Sequence, residues 1–265
     1  MKDRQSAHAD IVITSANACR IPIFSPTRRP QAVTAWRVET PWGWAVITGR
    51  LGQQHRDLLD AARMVAEKEE WTADGKMHLK VDLARLRSAL GGDATNMQRI
   101  EDWLEDLRVA QVVIYIREKN VTITGGIVSE VLASSDKTVL TSRAGAFASN
   151  RKFKHIEFST GWSKLIETDR AMKYPLRQVV GLKHGFSQAV ARYCLSHANV
   201  RDTVAGLAQK LNAGGRLRDR RDELAEDAAG LAAMGITIDG DKITTARDQS
   251  PVKRDQSPVS ATKVR

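Results

Sequence analysis

RDTVAGLAQKLNAGGRLRDRRDELAEDAAGLAAMGITIDGDKIT, residues 201–244, is the stretch whose reading decides the fold. Val204, Leu207 and Leu211 recur at three- and four-residue spacing, the apolar stripe of a short helix. Gly214-Gly215 breaks that helix, and a longer one opens on Arg216, Arg218, Arg220 and Arg221. Ile236-Thr237-Ile238 then reads as a strand, Asp239-Gly240 as a two-residue turn and Ile243 as the return. Helix, turn, basic helix and β-hairpin in that order outline a winged helix-turn-helix. In such a unit the N-terminal turn of the second helix faces the bases of a major groove.

The same order of elements precedes it. Asp82 caps a helix whose Leu83, Leu86 and Leu90 face inward, and Gly91-Gly92-Asp93 ends it. A second helix from about Ala94 to Val109 buries Met97, Ile100, Trp103 or Leu104, and Leu107. Gln111 to Arg117 alternates as a strand, Glu118-Lys119-Asn120 turns, and Val121 to Thr124 returns. Leu83, Leu86 and Leu90 lie 121 positions before Val204, Leu207 and Leu211; Ile100, Leu104 and Leu107 lie 124 before Leu224, Ala228 and Leu231; Ile114 and Ile116 lie 122 before Ile236 and Ile238. A long-period repeat with its register slip confined to a turn is the mark of two related domains, against which stands the commonness of leucine at helical spacing.

Each copy has a preceding helix. Gln53 to Glu67 buries Leu58, Leu59, Ala62, Val65 and Ala66, with Arg56, Asp57, Asp60 and Arg63 on other faces, and Leu176 to His197 is its counterpart. Ser134 to Asn150 reads as a flexible loop, and Ile11-Val12-Ile13 and Ile21 to Phe24 as short edge strands. The expected fold is therefore α+β, two tandem winged-helix domains. The expected division is an N-terminal extension at 1–35, domain 1 at 36–150, domain 2 at 151–244 and a disordered basic tail at 245–265, where RDQSPV occurs twice.

Candidate DNA contacts follow from the two helix starts. The first copy supplies Thr95, Asn96, Gln98 and Arg99, and the second Arg216, Arg218, Arg220 and Arg221. Arginine pairs bidentately with guanine, and Asn or Gln with adenine. Half or more of such contacts go to phosphate and sugar, so anchors and readers are not separable in sequence. The competing reading is a solvated face paired to Asp219, Asp222 and Glu223. Lys119 and Lys242 stand at the hairpin tips. Arg28-Arg29, between Pro26 and Pro30, reads as solvated loop charge rather than a phosphate contact. Trp36, Trp42 and Trp44 read as sheet-face residues, because a base-stacking platform needs interleaved cations and only Arg37 is internal to them.

The 265 residues carry a formal charge of +10, a surplus that suits a polyanion. Cys19 and Cys194 fall in no metal or redox spacing, and no signal peptide or ~20-residue apolar run is present, so a cytoplasmic protein is expected. No enzymatic activity, metal or cofactor is called for. The six histidines form no H-x-H or H-E-x-x-H pair, and Gly125-Gly126 lacks the lysine and context of a phosphate loop. Tyr115, Tyr174 and Tyr193 fall at core-like positions.

FKHIEFSTGWSKLIETDRAMKYPLRQVVGLKHGFSQAVARYCLSH (153–197), with the stretch from Asn199 to Ile238 and PWGWAVITGRLGQQHRDLLDAA (41–62), resembles plasmid replication initiators built from two winged-helix domains. The resemblance covers roughly residues 36–244. It departs from the common pattern at Gly181 to Gln188, and Arg192-Tyr193 restores the family's arginine–tyrosine pair. It implies binding to directly repeated double-stranded origin sites (iterons), origin opening, recruitment of host helicase or polymerase, autoregulation of the protein's own gene, and dimers that convert to monomers. A winged-helix transcriptional repressor and a winged-helix protein-interaction module are the rival readings. If the surplus charge meets duplex phosphates, log affinity falls linearly with log salt, by about 0.9 per phosphate neutralised. A flat titration would exclude duplex binding.

Overall fold

The computed structural model describes residues 10–92, 96–142 and 145–245. Among them are ten α-helices and four antiparallel sheets, a mixed α/β arrangement. No helix among the described residues is long and apolar enough to cross a membrane.

Two segments of the chain share one topology. In the second, α7 (Gly185–Leu195) leads to β11 (Arg201–Thr203), α8 (Val204–Lys210), α9 (Leu217–Glu226), α10 (Ala228–Ala233) and the hairpin β12 (Ile236–Asp239) and β13 (Lys242–Thr245). Its sheet runs β11-β13-β12. In the first, α2 (Gln53–Val65) leads through β4 (Ala66–Trp71) to β5 (Met77–Asp82), α3 (Leu83–Ala89), α4 (Met97–Val109) and a later hairpin, β8 (Val128–Ser142) and β9 (Gly145–Phe158). Its sheet runs β4-β5-β9-β8, so β5, β9 and β8 repeat the order β11, β13 and β12. The leucine stripes are buried as expected: Leu86, Ile100, Leu107, Val204, Leu207, Leu224 and Leu231 are each fully covered, and Leu104 rather than Trp103 fills the third position of the α4 stripe. Asp82 and Thr203 cap α3 and α8 by accepting backbone N–H bonds, each cap contributing about 1 kcal/mol.

The structure corrects the sequence reading at several points. β6 (Gln111–Ile116) and β7 (Val121–Gly125) are not the hairpin of the first copy. They join β2 (Val33–Thr40) and β3 (Gly43–Gly49) in a separate sheet, β2-β3-β6-β7, because the alternating apolar face of β6 pairs along β3 from Gly43–Ile116 to Thr48–Gln111. The stretch read as a loop at 134–150 belongs instead to the paired strands β8 and β9, except for residues 143–144, which lie outside the described residues. The boundary expected at 150/151 falls within β9, whose far end is hydrogen-bonded to β5. The helix expected at 176–197 is two helices, α6 (Leu176–Val180) and α7, because Leu182 turns into the core and the Asp227 carboxylate accepts the Lys183 and His184 N–H groups, just ahead of α7, at 2.9 and 3.0 Å. That same turn at Asp227 divides α9 from α10. The expected tail, beyond Thr245 in β13, lies outside the described residues.

The N-terminal residues are not an appendage. β1 (Ile11–Ser15) pairs with β10 (Ala171–Pro175), and α1 (Asn17–Arg20) packs on α7. Ile21, Ile23 and Phe24 are buried but form no strand. The chain continues through α5 (Thr160–Thr168), where the Ser163 hydroxyl accepts the Met77 N–H at 2.9 Å and Trp162 meets Phe24 edge-on. A single apolar core runs through both segments.

The polar face of α2 is the largest departure. Arg56, Asp57 and Asp60 are each 2% exposed, because β1, α6 and α7, with Tyr174 of β10, cover the face expected to meet water. Arg56 donates to Asp60 at 2.8 Å and to the Thr14 hydroxyl at 2.6 Å. Arg192 of α7 pairs with Asp57, donates to Gln53 at 2.7 Å and to the Tyr174 hydroxyl at 3.1 Å, and Tyr174 in turn donates to Asp60. Burial alone would raise the Asp60 carboxyl, but Arg56 and Arg192 beside it hold it below the ordinary aspartate range. Burial keeps the Tyr174 phenol well above its ordinary value, so it remains a donor.

Arg192→Met should leave Asp57 buried without its cation and destabilise the protein by about 3–5 kcal/mol. Arg37→Ala, which breaks an exposed pair with Glu39, should cost about 1 kcal/mol or less. Urea unfolding measures both. The share of stability due to Asp60 should be complete above its unfolded-state pKa and decline as pH falls through its lowered folded value.

Candidate nucleic-acid interface

The basic start of α9 is held by local geometry. Gly215, at φ +94°, makes the turn that no β-carbon-bearing residue adopts cheaply. Arg220 folds back across that turn: its guanidinium donates to the Gly214 carbonyl at 2.6 and 3.0 Å, pairs with Glu223 and lies over the Phe186 ring. Only 19% of its side chain is exposed, so it shapes the turn instead of projecting from it. Arg218 is 88% exposed and only loosely paired with Asp222 at 3.9 Å. Arg216 stands exposed at the N-cap and caps nothing with its side chain. Arg221 is half exposed and donates to Asp241 at 3.0 Å, tying the helix to the β12–β13 turn where Lys242 is exposed. Cations in a helix's first turn are disfavoured by its dipole, by about 0.3–1 kcal/mol each, so helix stability does not account for Arg216 and Arg218.

The first copy is sorted differently. Thr95 lies outside the described residues. Asn96 is the N-cap of α4, accepting the Gln98 N–H at 2.8 Å, and Gln98 donates to Asp102 at 3.0 Å. Their polar groups serve the helix itself. Arg99 is exposed one residue further along and makes no ion pair among the described residues. Lys119, on the β6–β7 turn and so not on the β8–β9 hairpin, donates its ammonium to the Thr168 carbonyl at the end of α5.

Arg99 and Arg220 nevertheless wall the same cleft. It measures about 680 Å³, and the loop 25–30 crosses it with Arg28 and Arg29; Lys183, Trp103 and Glu223 are also among its lining residues. A second cleft of about 490 Å³ shares Pro26, Thr27, Arg29 and Arg220 and reaches Gly214-Gly215 before α9. The loop that carries the arginine pair thus lies between the two helix starts. In sequence the pair looks like solvated loop charge. The available signal was glycine, because the loop packs where a side chain would not fit: a Cβ on Gly52 would sit 2.6 Å from the Thr27 carbonyl oxygen, and one on Gly185 2.6 Å from Thr27 backbone atoms.

The fold is similar to two crystal structures of domains 2 and 3 of RctB. One, spanning residues 155–483 of that protein, has a TM-score of 0.51 and 12% identity, with 84% of this chain and 92% of that chain covered. The other, a selenomethionine derivative, has a TM-score of 0.54 and 12% identity, with 89% and 93% covered. At that identity the likeness is one of fold. No protein-family model and no curated protein sequence matches the chain.

Gly185→Ala should push the loop off α7 and lower the unfolding free energy, read from urea titration, by about 1–3 kcal/mol as for other overpacked sites. Gly75→Ala, at a turn with open space around it, should cost only the strain of its φ of +76°.

Proposed function

We propose that this chain is a sequence-specific double-stranded DNA-binding protein that initiates DNA replication, and that its two topologically repeated segments are winged-helix units. The observation that carries this reading is the recurrence of strand, helix, turn, helix and hairpin with one sheet order, in a fold similar to domains of RctB, a replication initiator of Vibrio chromosome II. In each unit α9 or α4 is the helix placed to enter a major groove. Exposed Arg216, Arg218 and Arg221 are the groove contacts of the second unit, and Arg99 is a backbone contact of the first. The hairpins β12–β13 and β8–β9 are the wings. Directly repeated sites beside an A·T-rich origin are the proposed target, and host replication proteins such as helicase the proposed partners. The homodimer, autoregulation and a cytoplasmic location belong to the same proposal, which includes no catalytic step. An inverted-repeat operator and no origin activity would favour the repressor reading.

Replacing Arg216, Arg218 and Arg221 together with alanine should abolish specific binding to the DNA flanking the gene while leaving thermal unfolding within about 1 kcal/mol, because all three are exposed. Unchanged affinity in a gel-shift titration would overturn the assignment.

A further inference from the structure

We propose that the cleft between the two units seats backbone phosphates of the bound duplex, with Arg29 and Arg99 as the anchoring side chains. This rests on the duplex-binding reading above and adds a third contact surface to it. The cleft is lined by Arg28, Arg29, Arg99, Lys183 and Arg220 against one carboxylate, Glu223, which Arg220 already neutralises at 2.6 Å, while Lys183 lies 3.8 Å from Glu226 just outside the lining. Like charges gathered in an open cleft repel one another, and a polyanion relieves that repulsion. Arg29 and Arg99 are both exposed, and neither has an ion pair among the described residues, so two guanidiniums face the cleft without a carboxylate partner.

The site is built and not merely accumulated. The loop is fixed at three points: the Ser25 N–H donates to the Leu51 carbonyl at 2.9 Å, the Gln53 N–H to the Thr27 carbonyl at 2.9 Å, and the Arg28 guanidinium to the Leu182 carbonyl at 3.3 Å. Gly52 and Gly185 let it lie against the starts of α2 and α7. A loop ordered beforehand loses less entropy on binding. The chemistry favours phosphate over base edges. A guanidinium fork matches two phosphate oxygens, and these side chains line a recess between the two reading helices instead of projecting from one. A duplex lying across α4 and α9 would carry its backbone over this recess.

The test compares the full-length wild type with the Arg29→Ala/Arg99→Ala double variant. Fluorescence anisotropy is read on a duplex carrying the native site and on a scrambled duplex of equal length, between 50 and 200 mM salt. The expected result is a similar loss on both duplexes, roughly tenfold or more for each arginine. The log–log salt slope should become shallower by about 0.9 for each phosphate released, and the native-to-scrambled ratio should stay the same. Arg29→Lys/Arg99→Lys should recover most of the slope, because the charges remain, and a thermal melt matching wild type excludes a folding defect. A double variant with unchanged slope and affinity overturns the cleft proposal while wild-type binding upholds the broader reading. A changed native-to-scrambled ratio at constant slope overturns it in favour of base contacts. A wild type that binds neither duplex defeats both.

Discussion

Two arginines, two aspartates and a tyrosine meet out of reach of water where α2 of the first unit lies against α7 and β10 of the second. Removing such charges from solvent costs several kcal/mol each, and the mutual pairs and neighbouring hydroxyl and amide groups offset it only in one geometry. An apolar contact of the same size tolerates sliding; this one does not, since a shift of an ångström or two leaves a buried charge without its partner. The network therefore acts less as a source of stability than as a fixed angle between the two units. Thr14 and the Ala18 carbonyl also bond to Arg56, which draws the N-terminal segment into the same joint.

That joint sets the distance between α4 and α9, and the loop 25–30 occupies the space it leaves. Pro26 is buried, Gly52 and Gly185 admit the backbone, and the arginine pair emerges between the two helix starts. In the proposed complex the protein would meet DNA as one rigid surface with a basic recess at its centre. The arginines divide accordingly. Arg220 and Arg28 hold turns and loops in place, Arg221 ties helix to hairpin while staying half exposed, and with it Arg216, Arg218, Arg29 and Arg99 remain available to an anion.

Much of this was legible in the sequence wherever a local pattern decides structure. The leucine stripes of α3, α4 and α8 and the Asp82 cap lie where spacing placed them, and the second hairpin does too with its turn one residue later, at Gly240-Asp241, since each depends on neighbours within a few turns of chain. What failed depends on distant partners. An alternating strand such as Gln111–Ile116 does not say which strand it pairs with, so β6 was given to the wrong sheet and a numerical offset to Ile236 and Ile238 passed for homology. The carboxylates and Arg56 of α2 look like a solvated face until a second helix covers them. Asn96 also caps α4 through a local bond to the Gln98 N–H, a role that residue type alone does not separate from base contact.

The central claim is that the two units engage one duplex as a single fixed body. Hydroxyl-radical footprinting of the full-length protein on its duplex site tests it most directly. The account predicts two protected patches on one face of the duplex, about one helical turn of 10–10.5 base pairs apart, with backbone protection continuing between them. A single isolated patch, or two patches whose separation follows the spacing built into the DNA, would contradict it.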